Sequence, residues 1–163
     1  MKIEVIQANY LDAHHAQAIS YLLDCYATDP MGGAAPLPTY VKENLATELA
    51  KIPNAFSIIC YADGNPAGLI NCFEGFSTFK CKPLLNIHDV VVINEYRGMG
   101  LCQIMFERIE EIARQRGYCK MTLEVLEGNK AAQSAYLKNG FVGYELDPAM
   151  GKALFWQKTL DQD

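Results

Sequence analysis

The feature that most restricts what this chain can fold into is a strand, a glycine-bearing turn and a long helix that follow one another over residues 84–116. Residues 84–93 are predicted to form a strand, because they end in three valines and an isoleucine. The apolar residues over 100–116 recur at helical spacing, and Gly117 ends that helix. Together with the other predicted elements, this unit indicates helices packed around a sheet.

The whole pattern follows the order β-α-α-β-β-β-α-β-α-β-β, which predicts an α+β fold with one central mixed sheet flanked by helices. The 163 residues fit a single domain, residues 1–163. Residues 29–38 are a loop, because two glycines and three prolines there interrupt any regular element. The other predicted helices cover 12–27 and 130–138, with one more that ends near Pro53. The other predicted strands cover 2–7, 55–62, 67–74, 119–126, 141–146 and 153–160.

Charge and hydropathy exclude several classes of partner. Fourteen Lys and Arg against nineteen Asp and Glu leave a net charge of −5, whereas a general nucleic-acid binder needs a basic surface. No apolar run approaches the roughly 20 residues that span a bilayer, and the first residues alternate like a strand rather than a signal peptide. We therefore expect a cytoplasmic protein that binds a small molecule and neither nucleic acid nor membrane.

The six cysteines do not indicate a metal centre or a disulfide framework. They show no Cys-x-x-Cys spacing and no paired histidine spacing, and a disulfide framework belongs to exported chains. We expect reduced, mostly buried thiols and no bound metal.

The turn between the strand and the long helix is a candidate phosphate site. A helix N-terminus presents unpaired N–H groups and a partial positive charge, and Gly98 and Gly100 let the backbone approach an anion closely. Arg97 adds a full charge. By itself this Gly-x-Gly turn is equally consistent with a tight connection, and it is neither a Walker loop nor a dinucleotide fingerprint.

A second segment, residues 129–141, has the pattern of a capped helix with one open face. Asn129 stands where an N-cap belongs, and Ala132 and Tyr136 lie nearly above it on one helical face. Gly140 is predicted to end the helix in the left-handed conformation, and Phe141 begins the next strand. The small alanine between two polar residues leaves room for a ligand, although an ordinary amphipathic helix with a core tyrosine has the same pattern.

Together the two segments resemble the Gcn5-related N-acetyltransferase (GNAT) superfamily. Its acyl-CoA motif runs Arg/Gln-x-x-Gly-x-Gly/Ala, and Arg97, Gly100 and Cys102 stand at those positions, with cysteine in place of the usual small residue. Its second motif runs Asn-x-x-Ala-x-x-x-Tyr-x-x-x-Gly-Phe, which matches in full. The matching residues are Asn129, Ala132, Tyr136, Gly140 and Phe141.

The resemblance implies that the strand before the glycine turn splays from its neighbour and that acetyl-CoA lies in the gap. Main-chain groups of the valines would pair with the pantetheine arm and the acetyl carbonyl, and loop N–H groups would hold the pyrophosphate. The cofactor-binding residues implied in this way are Val90, Val91, Val92, Arg97, Gly98, Met99, Gly100, Leu101, Cys102, Asn129, Ala132 and Tyr136.

The resemblance also implies the reaction, which is direct attack of an amine on the acetyl-CoA thioester in a ternary complex. Tyr136 resembles the family's general acid. For the general base, Glu124 resembles the base of ribosomal-protein N-terminal acetyltransferases by its position five residues before Asn129. His88 and Asp89 are the rivals, since they precede the valines as Leu-Glu-Asp does in diamine acetyltransferases, and a water chain is another alternative.

In relatives the acceptor site is built from the equivalents of the 29–38 loop and of residues 74–79. Asp29, Glu74 and Asp89 could hold a cationic amine, and aromatic side chains, Phe76 among them, could wall the site, although residues of these types are more often solvated or in the core. We expect an N-acetyltransferase acting on a primary amine of a small molecule, with a homodimer kept open as the assembly. Protein or peptide N-acetylation and a CoA-binding sensor module without turnover are the alternatives.

Overall fold

A computed structural model describes residues 1–160 of the chain, which divides into two compact units, Met1–Leu126 and Glu127–Asp163. The first unit holds the whole sheet, and the second holds the last helix and the C-terminal segment. The single domain expected over residues 1–163 stays a prediction.

The first unit is built on a five-stranded sheet with the strand order β1-β2-β3-β4-β5. The first four strands are antiparallel neighbours, and β5 runs parallel to β4. The mixed central sheet is therefore confirmed. The strands are β1 (Ile3–Gln7), β2 (Ala55–Ala62), β3 (Asn65–Ser77), β4 (Lys82–Val92) and β5 (Met121–Leu123).

Three helices, α1 (Ala13–Thr28), α2 (Thr39–Ala50) and α3 (Leu101–Gln115), flank this sheet. Leu69 of β3 is buried in one cluster with residues of α1, whereas a Cβ at the adjacent Gly68 would lie 2.8 Å from Cε of Met105 in α3. Because successive strand residues point to opposite faces, α1 and α3 cover opposite faces of the sheet. Within residues 1–160, every helix is too short or too polar to cross a lipid bilayer.

The second unit contains α4 (Lys130–Lys138), which forms where the sequence predicts it. The strands predicted over 141–146 and 153–160 are wrong, because neither segment forms a strand in the described part of the chain. A backbone hydrogen bond from the Ala153 N–H to the Tyr144 carbonyl, at 2.9 Å, joins them. A segment with alternating apolar residues forms a stable strand only when it pairs with a neighbouring strand and packs its apolar side chains against another layer. Residues 142–160 are exposed to solvent, so their apolar side chains lack such a layer.

Candidate active site

Strands β4 and β5 separate after a short stretch of pairing. Only three residues of β4, Leu85 to Ile87, pair with the three residues of β5. β4 continues to Val92, whereas β5 ends at Leu123 instead of extending to residue 126 as predicted. Within residues 1–160 no strand pairs with the last five residues of β4 on that side, so the predicted splay is present in the first unit.

The direction of the main-chain groups at this open edge follows from the ladder with β3. The N–H of Ile93 donates to the Ala67 carbonyl at 3.1 Å, so Ile93 and, by alternation, Val91 turn their polar groups toward β3. Val90 and Val92 therefore turn theirs away from β3, into the gap. In agreement, the Val92 carbonyl accepts a hydrogen bond from Nε of Arg97 at 3.0 Å.

The loop after β4 places several N–H groups without acceptors at the start of α3. Gly98 and Gly100 have φ angles of 77° and 81°, which a side chain with a Cβ rarely adopts, and Gly100 is the N-cap residue without a side-chain cap. Within residues 1–160, the N–H groups of Gly98, Gly100, Leu101 and Cys102 have no hydrogen-bond acceptor. Such a cluster of donors at a helix N-terminus suits an anion.

Arg97 is engaged on both sides of its guanidinium. Besides the bond to Val92, its Nη2 lies 2.8 Å from Oδ2 of Asp29, and the Arg97 side chain is 53% exposed against 16% for Asp29. Hydrogen bonds from Arg97 and from the N–H of Met31 hold the pKa of Asp29 below its usual value. The two charges balance each other, so Asp29 is already paired with a cation.

Cys102 lies in the first turn of α3, and its thiol is protonated at neutral pH. Burial raises the pKa of Cys102 to about 11. Within residues 1–160, no group of three or more His, Cys, Asp or Glu side chains is arranged to hold a metal ion.

A β-bulge in β4 re-aims the residues just before the valines. Asn71 of β3 opposes Asp89, and Cys72 opposes Ile87, so His88 is the extra residue. Asp89 alternates with Val91 and therefore lies on the face covered by α1. His88 is exposed, and its ring meets the ring of Phe73 edge-on at a centroid distance of 5.4 Å.

Asp89 is a half-buried carboxylate without an ion-pair partner in the described part of the chain. Its Oδ2 accepts a hydrogen bond from Nδ2 of Asn71 at 2.9 Å, and no Lys, Arg or His within residues 1–160 lies within salt-bridge distance. Burial first, and then the charges of Asp89 and Asp29, raise the pKa of Tyr26 in α1. Both carboxylates therefore act on the same side chain of α1.

Glu74 and Phe76 lie on the face of the sheet that α3 covers. Both stand an even number of residues after Gly68 in β3, so their side chains lie on the same face as Gly68. Oε2 of Glu74 accepts a hydrogen bond from the Tyr118 hydroxyl at 2.7 Å. Phe76 is 59% exposed. The structure therefore does not bring these two residues together with Asp89.

Glu124 follows β5 directly and is exposed to solvent, one residue beyond the last pair with β4. It therefore lies where the two strands part. The bottom of the splay thus carries a carboxylate on the β5 side.

In the second unit, the motif residues of α4 mainly cap the helix. Oδ1 of Asn129 accepts a hydrogen bond from the N–H of Ala132 at 3.1 Å, which makes Asn129 the N-cap. Gly140 has a φ of 82°, and the N–H of Phe141 donates to the Tyr136 carbonyl at 3.0 Å, which is the bond of a Schellman motif. The ring contact between Tyr136 and Phe141, at 6.2 Å between centroids, is the apolar contact of that motif.

The bulge at His88 and the hydrogen bond that holds Asp89 were not predicted. The sequence carries one signal for the second, since Ser57 and Asn71 are polar residues within otherwise apolar strands. Buried polar residues of this kind need partners, and the structure supplies them.

Comparison with known proteins agrees with this arrangement. A model of the acetyltransferase (GNAT) family matches residues 17–141. Streptothricin acetyltransferase of Streptomyces lavendulae is 34% identical over 89 residues, 55% of this chain and 45% of that protein. Thialysine N-epsilon-acetyltransferase of Caenorhabditis elegans is 28% identical over 78 residues, 48% of each chain. The structure of AAC(6')-Iy in complex with the bisubstrate analog CoA-S-monomethyl-acetylneamine has a TM-score of 0.76 at 16% identity, over 98% of this chain and 99% of that chain.

The chain belongs to the acetyltransferase (GNAT) family, because the family match covers most of its length. The resemblance drawn from the two motifs is thereby confirmed. The structural likeness shows the fold, and the chain spans about half the length of the curated relatives it matches.

Proposed function

We propose that this protein is an acetyl-CoA-dependent N-acetyltransferase that acts on a primary amine of a small molecule. The observation that carries the proposal is the continuity of the open edge of β4 with the donor-rich loop before α3. An extended ligand with amide groups at one end and a pyrophosphate at the other needs these two surfaces in that order. Two of the relatives, streptothricin acetyltransferase and thialysine N-epsilon-acetyltransferase, are named for small-molecule amines, which supports the proposal.

The residues present fit acetyl-CoA. The main-chain N–H and carbonyl of Val90 and the N–H of Val92 face the gap between the strands and are available to the amides of a pantetheine arm. The Val92 carbonyl already accepts a hydrogen bond from Arg97, and the main-chain groups of Val91 are used by β3. The free N–H groups of Gly98, Gly100, Leu101 and Cys102 suit the pyrophosphate. The two glycines have no side chain, so the space beside them is open to the ligand. Binding of a phosphate beside Arg97 would compete with Asp29 for the guanidinium.

Acetyl-CoA supplies an activated acetyl group, so the protein has two proton-transfer problems to solve. An alkyl ammonium with a pKa near 10 must lose its proton before it can attack, and a thiol with a pKa near 8.5 leaves more easily if a donor meets the sulfur. Tyr136 is the proposed donor. A free tyrosine at about 10 is the weaker acid by about 2 kcal/mol, so a strong hydrogen bond to the leaving sulfur serves as well as complete transfer.

Three groups of the first unit are candidates for the base. His88 is exposed on the bulge, Asp89 is next to it, and Glu124 lies where β5 leaves β4. A water chain that ends on any of them would serve equally. Single substitutions of these residues, with the pH dependence of kcat as the readout, would identify the group that the reaction uses.

Among the carboxylates, Asp89 is the best-supported candidate for binding the cationic acceptor amine. It is half-buried with no basic partner within residues 1–160, and burying such a charge is unfavourable until a cation pairs with it. Asp29 carries a protein cation already, and Glu74 and Phe76 are on the other face of the sheet. Asp29, Glu74 and Phe76 stay predictions for the acceptor site.

A substrate panel tests the proposal. Streptothricin, thialysine, spermidine, neamine and a peptide with an N-terminal alanine would each be incubated with acetyl-CoA, and thiol release would be measured. Turnover of at least one small amine is expected. Turnover with the peptide alone would mean that the substrate is a polypeptide and not a small amine. Acetyl-CoA binding without any turnover would mean that the protein is a CoA-binding module.

A further inference from the structure

A chain of hydrogen bonds runs through the sheet to Asp89. The Tyr10 hydroxyl lies 2.8 Å from Oγ of Ser57, which lies 2.6 Å from Oδ1 of Asn71. Nδ2 of Asn71 in turn lies 2.9 Å from Oδ2 of Asp89. The two middle residues are deeply buried, since Ser57 is 0% and Asn71 is 4% exposed. The chain of hydrogen bonds thus joins three strands and ends at Asp89, the carboxylate proposed to bind the acceptor amine.

The direction of every hydrogen bond in the chain is determined by its last member. An ionised carboxylate only accepts, so the amide NH2 of Asn71 must face Asp89, and its carbonyl oxygen must face Ser57. The Ser57 hydroxyl proton is then used on Asn71. Tyr10 must therefore donate to Ser57, and all three donors point toward the negative charge.

The chain holds one oxygen of Asp89 and leaves the other available. Within residues 1–160, Oδ1 of Asp89 has no hydrogen-bond partner. A carboxylate that is fixed at Oδ2 by a buried amide cannot rotate freely, because rotation would leave Asn71 with an unsatisfied buried donor. The free oxygen is thus held in one orientation, at the bulge that precedes the valines.

We propose that Asn71, supported by Ser57 and Tyr10, is a positioning residue that orients Asp89 for the cationic acceptor amine. The inference rests on the proposed function, since it assigns the amine to Asp89. If the chain served packing alone, its loss would reduce stability and leave the kinetics of the folded enzyme unchanged.

Two substitutions remove members of the chain without touching Asp89. Ser57→Ala removes the donor that holds the Asn71 carbonyl, and Tyr10→Phe removes only the first hydroxyl. Tyr61→Phe is the matched control, because Tyr61 is also half-buried against the α1 cluster and burial raises the pKa of both tyrosines. Asp89→Asn marks the effect of losing the charge itself.

Steady-state kinetics with the most active amine of the panel provide the readout. We expect KM for the amine to rise about tenfold in Ser57→Ala and by a smaller factor in Tyr10→Phe. The rise in KM should be largest in Asp89→Asn. In Ser57→Ala and Tyr10→Phe, the kcat at saturating amine and the KM for acetyl-CoA should stay within about twofold of the wild type. Tyr61→Phe should behave as the wild type, and circular dichroism would establish that each variant is folded.

Different results would overturn different claims. If Asp89→Asn raises KM for the amine while folded Ser57→Ala and Tyr10→Phe do not, the positioning role is wrong and the acceptor site stands. If Ser57→Ala does not fold, Tyr10→Phe against Tyr61→Phe decides the question alone. A wild-type protein with no turnover of any amine would overturn the proposed function, and this inference with it.

Discussion

At the scale of single residues, the motif in α4 separates into residues that cap the helix and groups that remain for chemistry. Asn129, Gly140 and Phe141 are accounted for by the N-cap and the Schellman motif. The Tyr136 ring takes part in the apolar contact of that motif, but its hydroxyl is not needed for it. The hydroxyl is therefore the part of the motif that capping does not explain.

Tyr136→Phe tests that hydroxyl. The ring and its contact with Phe141 are retained, so the helix should persist and the Kd for acetyl-CoA should change little. The kcat should fall by about 10²–10⁴-fold, because in the proposed mechanism the hydroxyl acts as charge develops on the leaving sulfur. Stopped assays with the best amine, beside the exposed control Tyr40→Phe, provide the measurement. An unchanged kcat would remove Tyr136 from the mechanism.

Cys102 gives a prediction with a definite pH dependence. Because burial raises its pKa to about 11, the thiol is protonated at pH 7 and alkylation should be slow. The rate should rise about tenfold for each pH unit up to pH 10, since only the thiolate reacts. Cys81 is exposed and serves as the internal reference. Peptide mass spectrometry would measure the alkylation of both cysteines.

Saturating acetyl-CoA should slow the reaction of Cys102 further, because the pyrophosphate would cover the first turn of α3. The reaction of Cys81 should not change. A plateau near pH 8, or equal protection of both cysteines, would contradict this account of the loop.

At the scale of elements, the start of α3 joins two requirements in one turn. The chain must leave β4 with its last carbonyl held by Arg97, and it must enter α3 with a residue in the left-handed conformation. Gly100 meets the second requirement, and the space beside it is open. A similar positive φ occurs at Gly64, in the turn between β2 and β3.

Gly100→Ala and Gly64→Ala form a matched pair. Their φ angles are 81° and 82°, and an added Cβ meets no atom within 4 Å at either site. Each substitution should therefore lower the free energy of unfolding by about 1 kcal/mol through backbone strain. Only Gly100→Ala should weaken acetyl-CoA binding, because its methyl group would occupy the side from which the pyrophosphate approaches.

Chemical denaturation and isothermal titration would measure the two effects separately. Wild-type affinity for acetyl-CoA in Gly100→Ala would place the pyrophosphate elsewhere. Equal loss of affinity in both would mean that the effect is one of stability.

At the scale of the whole molecule, acetyl-CoA should stabilise the native protein. A ligand that binds only the folded state at 100 times its Kd adds about 2.7 kcal/mol, which corresponds to a Tm increase of about 5–10 °C for a chain of this length. NAD and ATP should do much less, because they have phosphates but no pantetheine arm for the open edge of β4. Differential scanning calorimetry would measure the Tm with each ligand. Equal stabilisation by ATP would mean that the site is a general phosphate site.

The sequence by itself determined the elements whose signals are local. The positive φ of Gly98, Gly100 and Gly140, the N-cap at Asn129 and the helical spacing of α3 all depend on residues within a turn or two of one another. Backbone sterics and capping act at that range, so the order of elements through α4 and the two motifs could be predicted.

Tertiary structure alone decided what depends on residues far apart in the chain. The bulge at His88 exists only as a mismatch between the registers of β3 and β4, and the ion pair of Arg97 joins it to a residue 68 positions away. The strands predicted over 141–146 and 153–160 have the right pattern but lack a paired neighbour in the described chain. A polar residue such as Asn71 acquires its role from the partners that the sheet brings to it, because the hydrogen bond needs both groups in place.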